Sequence, residues 1–329
     1  MPDIITYQIM NDGLAIIIPY FKKDFFLRTL HSLKNQTDQR FKVYIGDDNS
    51  PHSIEEVFSN FNSADWLAEK VVYKKFSTNL GSKSLVKHWD RCVKLAKSEE
   101  WIWLFSDDDE MQPGCVSSFY KKLADTNRKY GLYKFNSIII NDQGAVLKHM
   151  DEWSTSILDP FDLIINKIKG HTHTFAVEYI FSRSRYLQKN GFVEFPLAWG
   201  SDDATWVKFS DDEGIPVIAE SYVSWRLSDT NITGNTRMNG GLKSRALLSY
   251  GAWIIHHFKH HPRLNELKVA MKAFIIQQIS GYLQYLSPIT LSHIFIKGTQ
   301  IWGSDFRLII RLGYHTNKNA LMRVIQIQH

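Results

Sequence analysis

The sequence lacks the long apolar runs of a membrane-spanning protein. No stretch approaches the roughly 18 consecutive apolar residues that a transmembrane helix requires. The first residues, Met-Pro-Asp-Ile-Ile-Thr, carry neither the basic stretch nor the apolar core of a signal peptide. Cysteine is scarce, and Cys92 and Cys115 are too few for a disulfide framework or a zinc site. We therefore expect a cytoplasmic protein whose contact with a membrane would be peripheral.

Most of the chain also lacks an excess of either charge. The net charge is +5, but residues 258–329 hold nine basic and two acidic residues, so the basic character belongs to the tail. A basic tail can meet anionic lipid, nucleic acid or an acidic partner. Because no nucleic-acid-binding motif accompanies it, we expect no nucleic-acid partner. Residues 304–312 form a candidate amphipathic helix, which either rests on the inner face of the cell membrane or packs on the rest of the chain.

What is present is a regular alternation of strand and helix patterns. The continuous apolar run Leu14–Ile18 predicts a strand buried on both faces, and apolar residues at helical spacing predict the helices that follow the strands. The predicted strands are Leu14–Ile18, Phe41–Ile45, Val71–Phe76, Trp101–Phe105 and Leu132–Ile140, and the predicted helices start at Asp24 as N-cap, at Ser84 and at Pro113. This order indicates an α/β fold with a doubly wound sheet.

The predicted carboxyl ends of these strands carry polar clusters. Pro19-Tyr20 follows the first strand, Asp47-Asp48 follows the second, and the acidic run 107–109 follows the strand at Trp101–Phe105. Ligands of doubly wound sheets bind outside the carboxyl ends of the strands. We therefore expect these clusters to converge on one edge of the sheet and form a ligand site.

The three consecutive aspartates Asp107, Asp108 and Asp109 need a compensating charge, because adjacent carboxylates repel and lose water when buried. A divalent cation such as Mg²⁺ or Mn²⁺ takes hard oxygen ligands and bridges to substrate phosphates. The alternative is a solvated acidic turn that caps the following helix. The position at a strand end favours the metal.

Four ordered motifs resemble those of the inverting family 2 glycosyltransferases of bacterial type, which have a GT-A fold. The likeness covers about residues 14–230. The motifs are Ile-Ile-Pro-Tyr-Phe at 17–21, Ile-Gly-Asp-Asp-Asn-Ser at 45–50, Asn-Leu-Gly at 79–81 and Trp-Leu-Phe-Ser-Asp-Asp-Asp at 103–109. The resemblance implies a GT-A-like mixed sheet in residues 1–237, with a nucleotide-sugar-binding half at 1–125 and an acceptor half at 126–237. A helical basic extension would follow at 238–329. Within it, apolar residues from Leu264 to Leu286 recur at helical spacing, and we expect Pro288 to end this helix.

The same resemblance implies the donor site. Asp109 and Asp107 would hold Mn²⁺ or Mg²⁺, which acts as a Lewis acid on the departing diphosphate. The residues expected to bind the nucleotide are Pro19, Tyr20, Phe21, Asp24, Asp48, Asn79, Gly81, Asp107 and Asp108. Phe21 stands where the family commonly has tyrosine, so stacking on a base is kept while a phenol hydrogen bond is not.

The acceptor side is implied by Leu197–Trp206, which resembles the segment in which an aspartate of the family serves as base. This assigns Asp203 as the general base that takes the proton of the acceptor hydroxyl. Asp202, Trp199 and Arg226 would contact the diphosphate or the acceptor, although the histidine often found after the arginine is missing. The alternative for Ser201 and Asp202 is a helix N-cap pair.

The function implied is transfer of a sugar from a nucleotide diphosphate donor, with UDP-sugars favoured. The acceptor would be a hydroxyl of a glycan or lipid-linked oligosaccharide in cell-surface polysaccharide biosynthesis. One alternative is a nucleotidyltransferase that makes nucleotide sugars, but residues 18–22 lack its glycine-rich phosphate loop. The other is a non-catalytic carbohydrate-binding protein, against which the intact aspartates Asp107, Asp109 and Asp203 argue.

Overall fold

The structure, a computed structural model, describes residues 11–150, 153, 156–211, 213–228 and 236–303. Contacts between residues divide the chain into two units, and each is described by itself. The first unit comprises Met1–Pro160, Thr174–Phe192 and Trp206–Leu227, and the second comprises Phe161–His173, Val193–Thr205 and Ser228–His329.

The regular elements of the described residues follow one another in mixed order. The strands are β1 (Asn11–Tyr20), β2 (Phe41–Asp47), β3 (Val71–Lys75), β4 (Glu99–Leu104), β5 (Glu110–Met111), β6 (Leu132–Ile140), β7 (Val146–His149), β8 (Ile157–Leu158), β9 (Tyr179–Ser182) and β10 (Ile215–Arg226). The helices are α1 (Phe26–Lys34), α2 (Ile54–Phe61), α3 (Ala64–Lys70), α4 (Leu85–Val93), α5 (Cys115–Asp125), α6 (Pro160–Ile168), α7 (Arg183–Gln188), α8 (Ser201–Ser210), α9 (Thr236–His257), α10 (Leu264–Tyr282) and α11 (Pro288–Trp302).

The first unit is built on a mixed sheet. Its strand order is β3-β2-β1-β4-β9-β6-β10-β5, with β7 beside β6 and β8 beside β10. β1 to β4 pair in parallel, whereas β9 lies antiparallel between β4 and β6. The predicted α/β fold with a doubly wound mixed sheet is therefore confirmed.

One face of this sheet carries the main apolar core. Leu14, Ile16 and Ile18 of β1 are fully buried there. The apolar stripes of α1, α2 and α5 cover them, as the helical spacing of Phe26, Leu30 and the other apolar residues of α1 predicts. Because the strands pass through this core, their carboxyl ends hold the polar loops at a fixed edge of the sheet.

Two predicted helix starts are wrong. Asp24 is exposed, and the N-cap of α1 is Phe25, which makes no side-chain capping bond. The helix predicted to begin at Pro113 begins at Cys115 with Gly114 as N-cap. Both helices begin one or two residues later than the sequence indicates, a difference that is common at helix ends.

The second unit is mainly helical. The predicted apolar stripe of α10 is confirmed, since Leu267, Met271, Ile275 and Ile279 are buried. Pro288 was expected to end this helix and instead stands at the first turn of α11, where a missing backbone N–H costs nothing. No helix in the described part of the chain is long and apolar enough to cross a bilayer. The candidate helix at 304–312 lies outside the described residues.

The domain boundary at residue 237 stays a prediction, and contacts group two earlier segments with the C-terminal helices. Phe161–His173 and Val193–Thr205, which lie in the predicted acceptor half, belong by contact to the same unit as the C-terminal helices. The candidate base Asp203 is therefore described with the second unit, and the aspartates 107–109 with the first.

Candidate active site

The acidic run lies directly after β4 and is tied to the loop after β1. Asp107 Oδ2 accepts hydrogen bonds from the backbone N–H groups of Phe21, at 2.8 Å, and Lys22, at 2.7 Å. Phe21 and Asp107 are thus brought together across two strand ends, as the strand order predicts. A carboxylate that accepts two backbone bonds fixes the path of both loops.

Asp109 is held by two further elements of the first unit. Its Oδ1 accepts a 2.7 Å hydrogen bond from the backbone N–H of Arg226, at the end of β10. Its backbone carbonyl accepts a 2.7 Å bond from the hydroxyl of Thr29 on α1. The third aspartate therefore has a defined position although it stands in a loop.

The guanidinium group of Arg226 is fully buried and faces the acidic run. Its Nε donates to the carbonyl of Asp108 at 2.7 Å, its Nη1 to the carbonyl of Asn141 at 2.5 Å, and its Nη2 pairs with Glu110. These contacts position the loop that carries the aspartates. The contact of Arg226 with a diphosphate, expected from the resemblance, stays a prediction.

The surroundings of Asp107 and Asp109 disfavour the ionised form of their carboxyl groups. Burial raises the pKa of Asp107, and the neighbouring charge of Asp108 raises it further, against the effect of the two backbone bonds. Burial and Asp108 likewise hold the pKa of Asp109 well above its usual range. Lys22 Nζ lies 3.8 Å from Asp108 Oδ2. A cation placed here would favour the ionised form of both groups.

This donor set fits a hard divalent cation. Asp107 and Asp109 offer carboxylate oxygens, which Mg²⁺ and Mn²⁺ prefer, and their raised pKa values mark charge that a cation would neutralise. Among the described residues, no group of three or more His, Cys, Asp or Glu side chains forms a ready metal cage. The arrangement matches an ion that one or two carboxylates hold and that substrate phosphates complete.

Asp48, at the end of β2, ties that strand to the loop after β3. Its Oδ1 accepts from the backbone N–H of Leu80 at 2.7 Å, and its Oδ2 from that of Gly81 at 2.8 Å. Arg91 on α4 makes an ion pair with Oδ1. Both carboxylate oxygens thus have partners within the chain, and nucleotide binding by Asp48 stays a prediction. The nearby Asn79 accepts a 2.9 Å bond from the N–H of Ser82.

The loop after β1 joins these contacts. The backbone carbonyl of Tyr20 accepts from the N–H of Asp48 at 2.9 Å, and that of Phe21 accepts from the hydroxyl of Ser50 at 2.7 Å. Pro19 is half-buried and Tyr20 buried, whereas the ring of Phe21 is 38% exposed. An exposed ring on a fixed backbone can stack on a flat ligand such as a nucleobase.

In the second unit, Asp202 and Asp203 lie in the first turn of α8. Asp203 is 5% exposed, and both of its carboxylate oxygens contact the ammonium group of Lys167, at 2.5 and 2.6 Å. The hydroxyl of Ser201 accepts from the N–H of Phe195 at 2.9 Å. The segment before α8 is therefore anchored at the helix start.

Trp199 precedes the two aspartates in an unusual backbone segment. Leu197 and Ala198 have φ values of 58° and 55°, in the left-handed region that non-glycine residues rarely adopt. The ammonium group of Lys243 lies 4.6 Å from the centre of a Trp199 ring. Such strain persists where surrounding contacts over-determine the backbone, and it concentrates at functional sites.

The sequence interpretation missed four residues that hold these groups: Lys22, Thr29, Arg91 and Lys167. Lys22 stands in the loop next to the predicted Phe21 and could have been chosen by that position. The other three stand on helices far along the chain from their partners, and no local pattern marks them.

Comparison with known proteins shows the family of the chain. Residues 15–191 match the family described as Glycosyl transferase family 2. Since this match covers more than half of the chain, the protein belongs to glycosyl transferase family 2 and is a glycosyltransferase. No curated protein matches the chain.

Solved structures with a similar fold include complexes with nucleotide sugars. S. aureus TarS, residues 1–349, in complex with UDP-GlcNAc has a TM-score of 0.57 and 12% sequence identity, over 93% of this chain and 92% of that one. The mannosyltransferase PcManGT from Pyrobaculum calidifontis, in complex with GDP-Man and Mn²⁺, has a TM-score of 0.54 and 11% identity, over 95% of this chain and 89% of that one. At these identities the likeness concerns the fold, and it agrees with the GT-A assignment.

Proposed function

We propose that the protein transfers a sugar, with inversion, from a nucleotide diphosphate donor to a hydroxyl group of a glycan or lipid-linked oligosaccharide. The observation that carries this proposal is the edge where Asp107 and Asp109 hold the loop after β1 and the end of β10. A UDP-sugar is the favoured donor. The reaction would serve cell-surface polysaccharide biosynthesis in the cytoplasm, at the inner face of the membrane.

The donor would lie along the carboxyl edge of the first unit. Phe21 would stack on the nucleobase, with Pro19, Tyr20, Asn79, Gly81 and Asp48 forming the rest of the nucleoside site. Asp108 would contact the ribose and phosphates, and Asp107 and Asp109 would hold Mn²⁺ or Mg²⁺. The cation would supply charge neutralisation to the departing diphosphate. The raised pKa values of Asp107 and Asp109 support this assignment, because these groups need a positive partner.

Asp203 would be the general base, with Asp202 and Trp199 beside it on the acceptor side. As the base takes the acceptor proton, the acceptor oxygen attacks the anomeric carbon and the diphosphate leaves with the bonding electrons. Asp203 is buried at the start of α8, which supports this role. Because water has little access to a buried base, the base takes its proton from the bound hydroxyl. Arg226 would act by positioning the acidic loop.

A donor panel tests the proposal. The purified protein is incubated with UDP-sugars and GDP-sugars, with Mn²⁺, Mg²⁺ or a chelator, and release of the nucleoside diphosphate is measured. We expect release from a UDP-sugar that depends on the cation and that a glycan acceptor accelerates. Two TarS crystal structures contain UDP or UDP-GlcNAc, whereas the PcManGT structure contains GDP-Man, so both nucleotides belong in the panel.

The rival functions give different products. A nucleotidyltransferase would release pyrophosphate from a nucleoside triphosphate and a sugar phosphate. A carbohydrate-binding protein would bind glycans and turn over no donor. Either result, in place of nucleoside diphosphate release, would overturn the proposed function.

A further inference from the structure

The proposed base shares its carboxylate with a lysine from another helix of the same unit. Lys167 Nζ, on α6, lies 2.5 Å from Oδ1 and 2.6 Å from Oδ2 of Asp203. The aspartate side chain is 5% exposed and the lysine side chain 22%. Removing one partner of such a buried pair leaves an uncompensated charge, so the pair acts as a unit.

The other charged groups near Asp203 do not replace this lysine. Asp202 adds a second negative charge on α8. Tyr250 on α9 is buried, and burial, then the charges of Asp203 and Asp202, hold its pKa well above its usual range. Tyr250 therefore stays neutral and adds no further negative charge.

Two other charged residues on or next to α6 pair with side chains other than Asp203. Asp162 pairs with Arg263 at 2.6 Å, and Lys169 pairs with Glu266 at 2.7 Å. Both pairs are largely exposed, and neither includes Asp203. Lys167 differs from these groups because its ammonium contacts both oxygens of the proposed base.

Without a cation, Asp203 would face two effects that favour its protonated form. Burial disfavours the charged carboxylate, and the negative charge of Asp202 does the same. A protonated aspartate cannot accept the proton of an acceptor hydroxyl. An ammonium group in contact with both oxygens reverses this preference, because it stabilises the ionised form.

We propose that Lys167 is a positioning residue of the transfer reaction, which keeps Asp203 ionised and fixes the direction of its carboxylate. This rests on the proposed function, in which Asp203 is the base. Lys167 touches neither the donor nor the reacting atoms in this account. It acts through Asp203, and it widens the pH range in which the base is available.

The proton balance of the step defines the role. The acceptor O–H bond breaks and its proton passes to Asp203, while the acceptor oxygen bonds to the anomeric carbon. The bond from that carbon to the diphosphate oxygen breaks, and its electron pair leaves with the diphosphate. Lys167 keeps its proton throughout. Asp203 returns its proton to water after the product leaves, and the ion pair forms again.

The test is the pH–rate profile of sugar transfer by Lys167→Gln, Lys167→Met and Lys167→Arg. The two neutral variants should move the acid limb of the profile to higher pH by roughly 1–3 pH units, since an opposite charge at this distance changes a carboxyl pKa by about that much. Below that limb, each pH unit by which it moves should lower the transfer rate about tenfold, because the fraction of ionised base falls by that factor. Above the limb the rates should recover. Lys167→Arg keeps the charge and should keep the acid limb.

Two controls separate this role from a structural one. Lys169→Met removes a neighbouring lysine that pairs with Glu266, and its profile should match that of the wild type. In an Asp203→Asn background, adding Lys167→Gln should leave the pH dependence of the residual rate unchanged. Thermal melting of each variant establishes that it is folded at the pH values used.

The outcomes are distinct. A rate that falls by the same factor at every pH in the neutral variants, or that does not change, would overturn the role of Lys167 while leaving the proposed function intact. An Arg variant that moves the limb as far as the Gln variant would overturn it as well. Absence of transfer by the wild-type protein from every donor would overturn the proposed function itself, and this inference with it.

Discussion

A side chain on Gly81 would collide with the carboxylate of Asp48. A Cβ atom built on Gly81 would lie 2.5 Å from Asp48 Oδ2, the oxygen that accepts the N–H of Gly81 itself. Real Cβ atoms do not approach oxygen so closely, so a side chain here would displace the Asp48 carboxylate from its bonds to Leu80 and Gly81. Because the backbone at Gly81 lies against Asp48 at the end of β2, these two parts of the proposed nucleoside site adjoin each other.

Gly81→Ala should therefore destabilise the protein by about 1–3 kcal/mol, the usual cost of forcing an extra carbon into a packed site. It should also weaken binding of the donor nucleotide. Unfolding in urea and nucleotide titration measure the two effects. Gly281→Ala is the matched control, because a Cβ atom at Gly281 on α10 meets nothing within 4 Å. That variant should gain about 0.5–1 kcal/mol from helix propensity. Equal stabilities of the two variants would contradict the account.

His88 provides a pH-dependent test of the same region. It is buried on α4, where its Nδ1 accepts a 2.9 Å hydrogen bond from Arg91 Nε. Burial, then the charge of Arg91, lowers the pKa of His88 to about 3. Asp48 lies 3.6 Å from the same Nδ1, but Arg91 already pairs with that carboxylate.

The folded state thus holds His88 neutral, whereas the unfolded chain binds a proton below about pH 6.5. The corresponding stability is present above that pH and is lost as the pH falls toward the folded value. Relative to His88→Gln, which stays neutral and keeps an acceptor for Arg91, the wild type should lose up to about 1.4 kcal/mol per pH unit below pH 6.5. Urea unfolding at several pH values measures this difference. If the free energy of unfolding changed equally with pH in both proteins, His88 would bind a proton as readily in the folded state as in the unfolded chain.

Asp203→Asn tests the assignment of the base. An amide keeps the size of the carboxylate but cannot take the acceptor proton, so the transfer rate should fall by about 10²–10⁴-fold. Donor binding, measured by titration with the nucleotide sugar, should stay near that of the wild type. Asp211→Asn, just beyond the other end of α8, is the control and should retain its rate. Transfer by Asp203→Asn at the wild-type rate would exclude Asp203 as the base.

The fold could be predicted where a local pattern determines it. β6 has its predicted bounds, Leu132–Ile140, and every residue of this strand but one is buried. α2 and α3 were missed because each is short, and short helices give too few apolar repeats to recognise. Pro288 was misread because the same residue that ends one helix can begin the next.

The site could be predicted in part, for a similar reason. The meeting of Phe21 with Asp107 follows from the parallel order of β1 and β4, which the strand pattern implies. The pairing of Lys167 with Asp203 joins residues 36 positions apart on two helices, and their meeting depends on tertiary packing. From the sequence, Arg226 was expected to contact a diphosphate. Its full burial depends on contacts that form only in the folded chain.

The central claim is that Asp109 holds the cation on which sugar transfer depends. The most direct measurement compares Mn²⁺-dependent transfer by the wild type and Asp109→Ala, with Asp125→Ala, an exposed acid of α5, as control. Wild type and Asp125→Ala should transfer sugar with Mn²⁺ and stop when a chelator is added. Asp109→Ala should remain folded, lose the Mn²⁺ response and transfer no sugar. An Asp109→Ala protein that keeps the full Mn²⁺-dependent rate would contradict this claim.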